Sequence, residues 1–178
     1  MASRSLLPGE YAVLAVLAVE PMHGYDIACF LAAEGLDAVC PVEQSTLYTY
    51  LHNVESRGLV TWSEARVGNR PPRKTFALTP EGESLIHAWL RRPVERMREV
   101  RLELLLKLFF LNLTDPPAVE DLLGRQITVC EGYLAQIRTG ALESPFRRLV
   151  ALSKASAAEA TLTWLRQYAN EREQETTK

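Results

Sequence analysis

The sequence lacks any apolar run long enough to cross a bilayer. Its longest candidate, residues 104–113, is too short and is interrupted by Lys107. Near the N-terminus, Glu10 and Glu20 stand where the apolar segment of a signal peptide would need uncharged residues. These observations predict a cytoplasmic protein that has no membrane partner.

Metal-binding and catalytic signatures are also missing. The chain has three cysteines without a C-x-x-C pair, and its three histidines, at positions 23, 52 and 87, show no i, i+4 spacing. It has no Gly-rich phosphate loop, no nucleophile–base motif and no recognisable pair of carboxylates. We therefore expect no metal site, no cofactor and no enzymatic activity, and we expect reduced, mostly buried thiols.

The net charge gives little indication of a polyanionic partner. The whole chain carries a net charge of -2, and residues 1–88 contain ten acidic and six basic side chains. Five of those six basic residues nevertheless fall between Arg57 and Lys74, where Glu64 is the only acid. Contact with phosphate requires a local basic cluster of this kind, which is a better guide than the global charge.

The sequence does contain a regular succession of helical patterns. An apolar residue recurs every three or four positions across residues 6–19, 22–35 and 43–56, which predicts three helices. Gly35 is expected to close the second helix and Gly58 the third, because glycine readily adopts the left-handed conformation that ends helices.

The third predicted helix has a distinctive outward face. Leu47, Leu51 and Val54 share its inward face, so the opposite side is polar and has no acidic residue at its centre. Side chains of this size and chemistry can reach base edges in a major groove.

A predicted hairpin and a fourth helix follow. Residues 59–64 and 73–78 have strand patterns, and the turn between them is cationic and stiffened by two prolines. Thr79 and Pro80 then begin a helix, as an N-cap and a first helical residue. Three helices, a two-stranded hairpin and a helix form the element order of a winged helix-turn-helix domain, in which the third helix reads DNA and the hairpin is the wing.

The rest of the chain is predicted to be helical, so the fold class is mainly α. Apolar residues follow helical spacing over residues 94–111 and 119–137, and the second of these segments has a narrow seam like that of a coiled coil. A last helix is marked by Leu149, Leu152, Ala155, Leu162 and Leu165, and a charged tail from Glu171 is expected to fray. With a boundary near Arg91, residues 1–90 form the winged domain and residues 91–178 a helical domain for dimerisation.

Four stretches of the chain resemble the PadR family of transcriptional regulators. They are residues 14–27 (LAVLAVEPMHGYDI), 45–60 (STLYTYLHNVESRGLV), 73–82 (RKTFALTPEG) and 102–110 (LELLLKLFF). The first three are similar to the family's winged domain. The fourth resembles the start of the longer helical C-terminal domain of one branch, which is related to a domain of a virulence activator.

The resemblance implies a homodimeric repressor that binds a pseudo-palindromic double-stranded DNA operator. The candidate DNA-binding residues are Gln44, Ser45, Thr46, Tyr48, Thr49 and His52 on the third helix and Arg66, Arg70, Arg73 and Lys74 on the wing. Tyr48 resembles the family's recognition-helix tyrosine, which is placed at the DNA backbone. Family members that bind flat aromatic effectors imply such a role for Trp89 and Trp164, with core or dimer packing as the alternative.

A second interpretation remains open for the winged domain. Because this half of the chain is net acidic, it could instead bind a protein partner. The two interpretations differ in the salt dependence of DNA binding, which is steep only for a protein that contacts several phosphates.

Overall fold

The computed structural model describes residues 5–65, 73–139 and 144–176. Within these ranges the chain forms seven α-helices and three strands. In order they are α1 (Pro8–Val19), β1 (Met22–His23), α2 (Gly24–Ala33), α3 (Gln44–Ser56), β2 (Val60–Ala65), β3 (Arg73–Leu78), α4 (Pro80–Arg91), α5 (Leu105–Thr114), α6 (Pro117–Thr139) and α7 (Pro145–Thr176). A 3-10 turn (Met97–Glu99) and a π-helical turn (Val100–Leu104) precede α5. The mainly helical fold class and the winged helix-turn-helix order are confirmed.

The wing belongs to a three-stranded antiparallel sheet of order β1-β3-β2. The hairpin pairs Val60 with Leu78 at its base. On the other edge of β3, Met22 pairs with Phe76 and His23 with Thr75. The sequence pattern places residues 22–23 in the second helix and predicts two strands. The third strand was missed because a two-residue pairing leaves no periodic pattern in the sequence.

Helix α1 lies at the centre of the first unit and contacts α3, α4, α5 and β3. Its five residues from Ala12 to Val16 are fully buried, including positions on opposite sides of the helix. A helix enclosed in this way is apolar all round rather than along one stripe. It therefore supplies the surface on which α3 and the wing are mounted.

Two compact units make up the chain, and neither is a single continuous segment. The first comprises the residues up to Arg92 together with Arg101–Pro116, and the second comprises Pro93–Val100 and Pro117–Lys178. Helix α5 belongs to the first unit because it contacts α1 and α4, and its residues Phe110 and Leu111 are fully buried. The sequence-based boundary near Arg91 assigned this helix to the second domain.

The second unit is built on the pairing of α6 with α7. Arg138 bonds Glu159 and Arg166 bonds Glu131, a crossing order that makes the two helices antiparallel. Helix α7 continues to Thr176, so the segment expected to fray is helical over residues 171–176. Among the residues that the structure describes, no helix is both long enough and apolar enough to span a bilayer.

Candidate nucleic-acid interface

Helix α3 presents the polar face that its sequence pattern predicts. Leu47, Leu51 and Val54 are buried, each no more than 1% exposed. Five of the candidate DNA-binding residues on this helix are exposed, namely Gln44, Ser45, Tyr48, Thr49 and His52. The sixth, Thr46, is half-buried. The Thr49 hydroxyl donates to the carbonyl of Ser45 at 3.3 Å, which fixes the side chain and leaves its methyl group and oxygen lone pairs outward. The structure thus brings these candidates together on one accessible surface.

A buried carboxylate fixes α3 relative to the start of α1. Glu10 is only 5% exposed. Its Oε2 accepts from the backbone N–H of Leu7 at 2.7 Å, and its Oε1 accepts from the side-chain amide of Asn53 at 3.0 Å. One carboxylate therefore caps α1 and holds the last turn of α3, which positions the exposed face of α3 on a rigid support.

The end of α3 and the start of α4 are held by one connection. Gly58 has a positive φ of 72°, and the N–H of Leu59 donates to the carbonyl of Val54 at 3.0 Å, as in a Schellman motif. The Thr79 hydroxyl donates to the carbonyl of Gly58 at 2.7 Å and accepts from the N–H of Gly82. The predicted C-terminal end of α3 and the predicted N-terminal start of α4 are confirmed, and these bonds connect the two directly.

Lys74 on β3 is held against α3 through Trp62 on β2. The Lys74 ammonium lies 3.7 Å from the centroid of the Trp62 ring. The indole N–H of Trp62 donates to Oε1 of Glu55 on α3 at 2.7 Å. Lys74, Trp62 and Glu55 together form a brace that keeps one exposed cation beside α3. The cation–π contact retains the positive charge that a phosphate would need.

A cavity of about 750 Å³ lies between the first turn of α2, α3 and β3. Three candidate DNA-binding residues line it, Tyr48 and His52 from α3 and Lys74 from β3. The other polar residues of its lining are His23, Tyr25, Asp26 and Glu55. Helix α2 comes close to α3 here, because a Cβ added at Gly24 would lie 2.9 Å from Cε1 of Tyr48. Tyr25, Tyr48, His52 and Lys74 carry hydrogen-bond donors among the residues that line this cavity, whereas Asp26 and Glu55 carry only acceptors.

The tip of the wing lies outside the described residues. Arg66 and Arg70 belong to that segment, so their predicted contacts with DNA stay predictions. Arg73 is described through its backbone, which pairs with Ala65 at the end of the hairpin.

The two tryptophans predicted to line an effector site lie in different units. Trp89 is buried and stacks on the Tyr11 ring, with 4.4 Å between centroids and an interplanar angle of 7°. Burial raises the pKa of Tyr11, and the nearby Arg92 guanidinium acts in the opposite direction. Trp164 is half-buried on α7.

Lys107 is a buried cation whose environment could not be predicted from the sequence. Its side chain is fully buried, and its ammonium lies 4.7 Å from the Trp89 ring centroid. The ammonium donates to the carbonyl of Arg92 and pairs with Oε1 of Glu103, both at 2.6 Å. Burial lowers the pKa of Lys107, and the Glu103 carboxylate opposes that shift. A lone Lys among leucines gives a hint, but its partners are up to 18 residues away in the sequence.

Two protein-family models match the chain in succession. Residues 13–88 match the transcriptional regulator PadR-like family, and residues 100–172 match the virulence activator alpha C-terminal domain. The two matches together cover most of the chain.

Individual proteins are also similar to the chain. The negative transcriptional regulator PadR of Bacillus subtilis is 26% identical over 129 residues, which cover 72% of this chain and 70% of the relative. A crystal structure of that protein with operator DNA has 22% identity and a TM-score of 0.46, and covers 90% of this chain and 97% of the solved chain. Its complex with p-coumaric acid has 22% identity and a TM-score of 0.43, over 93% and 98%. A PadR-like transcription factor from Bacteroides fragilis has 30% identity and a TM-score of 0.39, over 44% and 73%.

Proposed function

The chain belongs to the PadR-like family of transcriptional regulators, and on that premise we propose that it is a sequence-specific DNA-binding repressor. The exposed polar face of α3, with the Lys74 cation beside it, is the observation that carries the proposal. Helix α3 enters a major groove, where Gln44, Ser45, Thr46, Thr49 and His52 meet base edges. Tyr48 and the wing residues Arg66, Arg70, Arg73 and Lys74 contact the backbone beside the groove. Repression is the mode of action of the related Bacillus subtilis protein, whose name describes a negative regulator.

The protein acts as a homodimer through α7. Phe146, Leu149 and Leu152 lie three residues apart on this helix and are 71%, 61% and 65% exposed. Apolar side chains so exposed at helical spacing form a face that a second copy can cover. A two-fold dimer then requires an operator whose half-sites repeat with inverted symmetry about one helical turn apart.

A small aromatic effector releases the repressor. Trp164 is half-buried on α7 and offers a ring face to such a ligand. Trp89 is covered by Tyr11, so a ligand would reach it only if that stack opened. Release requires that the ligand bind the DNA-free arrangement more tightly than the DNA-bound one.

DNA binding is tested with a duplex selected from a random-sequence library. Fluorescence anisotropy at several salt concentrations should give a steep linear fall of log K with log salt concentration. Lys74→Ala should reduce that slope by roughly 0.9, the value for one phosphate contact. Lys154→Ala, on the exposed surface of α7, is the matched control and should leave the slope unchanged. If no sequence is enriched and binding does not depend on salt, the proposal is wrong and the winged domain serves a protein partner.

The dimer is tested by sedimentation equilibrium. Leu149→Glu places a carboxylate in the apolar face and should shift the protein to monomers while weakening operator binding. Lys154→Glu makes a larger charge change on another side of α7 and should leave the dimer intact. A Leu149→Glu protein that remains dimeric would show that another surface forms the dimer.

A further inference from the structure

His23 connects β1 to the wing strand and also lines the cavity between α2, α3 and β3. Its Nδ1 lies 2.9 Å from the carbonyl oxygen of Lys74 and 3.2 Å from the hydroxyl oxygen of Thr75. A carbonyl oxygen can only accept, so Nδ1 carries a hydrogen and donates it to Lys74. This bond fixes the ring at the base of the wing.

The same bond determines what the other ring nitrogen can do. The two nitrogens of an imidazole point in nearly opposite directions, so Nε2 faces away from the Lys74 carbonyl. Among the described residues Nε2 has no hydrogen-bond partner. In a neutral ring with its hydrogen on Nδ1, Nε2 has only a lone pair and repels an anion. It becomes a donor only when the ring takes up a second proton.

Charged and titratable groups surround His23 on every adjacent element. Asp26 on α2 and Glu20 at the end of α1 are negatively charged, and Lys74 on β3 is positively charged. His52 and Glu55 on α3 complete the set, and Glu55 already accepts from the indole N–H of Trp62. Without DNA, charges of both signs therefore lie near the ring. A bound phosphate adds a negative charge beside the ring and therefore favours the imidazolium.

We infer that the cavity between α2, α3 and β3 seats one DNA backbone phosphate and that His23 contacts it as an imidazolium, so that DNA binding takes up a proton. This inference rests on the proposed function, since the phosphate is that of the DNA lying against α3. Tyr48 and Lys74 line the same cavity and supply the other donors. A DNA-binding protein that gains a phosphate contact when it takes up a proton binds DNA more tightly as the pH falls.

The test measures the affinity for the selected duplex from pH 5.5 to 8.5 at constant ionic strength. His23→Asn keeps an amide donor near the position of Nδ1, and so preserves the bond to Lys74, but removes Nε2 and the titration. His23→Gln reaches the position of Nε2 with a neutral donor. His87→Gln, on α4, is the matched control outside the cavity.

The wild-type protein should bind more tightly at lower pH, by at most about tenfold per pH unit for one proton. The protonated ring must be the bound form, so the added affinity is complete at acidic pH and is lost as the pH rises. His23→Asn and His23→Gln should both show a smaller change of affinity with pH. The affinity of His23→Asn should be lower than that of wild type at pH 6 and similar to it at pH 8.5. The control His87→Gln should match wild type throughout. His52→Gln should retain the His23-dependent part of the slope whatever its effect on affinity.

A nitrogen-detected NMR spectrum of the histidines gives an independent measurement. At a pH where the free protein shows a neutral His23 with its hydrogen on Nδ1, the complex should show the imidazolium. If DNA binding is salt-dependent but His23→Asn keeps the wild-type pH profile and the ring stays neutral in the complex, the inference is wrong while the proposed function stands. If no duplex binds at any pH, both fail.

Discussion

The ammonium of Lys74 lies 3.7 Å above the ring of Trp62, and Trp62 in turn donates its indole N–H to Glu55 on the recognition helix. A single aromatic side chain therefore connects a wing cation to the helix that we propose reads DNA. The geometry of the proposed interface depends on this connection as well as on the residues that touch DNA.

Replacing Trp62 with Phe should weaken DNA binding although Trp62 itself need not touch DNA. The smaller ring loses the hydrogen bond to Glu55 and has a weaker attraction for the Lys74 ammonium, so the cation is less well positioned. A loss of about fivefold in affinity corresponds to roughly 1 kcal/mol, the size of an exposed cation–π contact. Anisotropy titration measures it, with Trp164→Phe as the control. Equal affinities for Trp62→Phe and wild type would show that the brace does not position Lys74.

Glu103→Gln should destabilise the protein strongly at neutral pH. It leaves the fully buried Lys107 ammonium without its carboxylate, which costs on the order of 3 kcal/mol. Urea unfolding measures the loss. The matched control is Glu99→Gln, whose pairing with the exposed Arg96 contributes less than about 1 kcal/mol.

The cost of Glu103→Gln should depend on pH in a definite direction. Burial already lowers the pKa of Lys107 below its ordinary value of 10.5, and removal of the carboxylate lowers that pKa further. Between the folded-state and unfolded-state pKa values the unfolded chain binds more protons, so stability rises with pH in that window. The deficit of the variant should therefore shrink between pH 7 and pH 10. A deficit that is constant or grows would contradict the proposed origin.

Gln126→Leu should destabilise the second unit. The buried Gln126 amide accepts from the N–H of Val94 at 2.6 Å and donates to the Val94 carbonyl at 2.9 Å, so it satisfies both backbone groups. Leucine leaves both groups without partners in an apolar environment, at a cost of about 2–4 kcal/mol. Thermal unfolding measures the loss. Gln136→Leu, at an exposed position of α6, is the control; equal melting temperatures for the two variants would refute this role.

One of the three cysteines should react with a thiol reagent in the native protein. Cys29 is exposed, whereas Cys40 and Cys130 are buried, and burial raises the pKa of both buried thiols. Because the thiolate is the reactive species, the buried pair should react only when the protein unfolds. Counting the thiols titrated before and after denaturant addition checks this. Rapid reaction of three thiols in the native state would contradict the described burial.

The sequence predicted the elements that depend on local patterns. The spacing of Leu47, Leu51 and Val54 was enough to orient α3, and Thr79 and Gly58 marked helix ends because their roles are set by nearby backbone groups. These features also located the exposed polar face, since the outward side of a helix follows from its inward side.

The features that sequence reasoning missed depend on groups far apart in the chain. Glu10 bonds Asn53, 43 residues away, and His23 bonds the backbone of β3, 51 residues away. Neither pairing has a periodic signal. Periodicity also identified Leu149 and Leu152 as a helical face without indicating whether this chain buries them, and both are exposed.

The most direct test compares the selected duplex with a scrambled duplex of the same composition. The wild-type protein should prefer the selected sequence by on the order of a thousandfold. Replacing Thr49 and His52 together with Ala should reduce that preference by roughly 10- to 100-fold through lost base contacts, while affinity for the scrambled duplex stays unchanged. If the double variant weakens both duplexes equally, or keeps the full preference, the outward face of α3 is not the surface that reads the sequence.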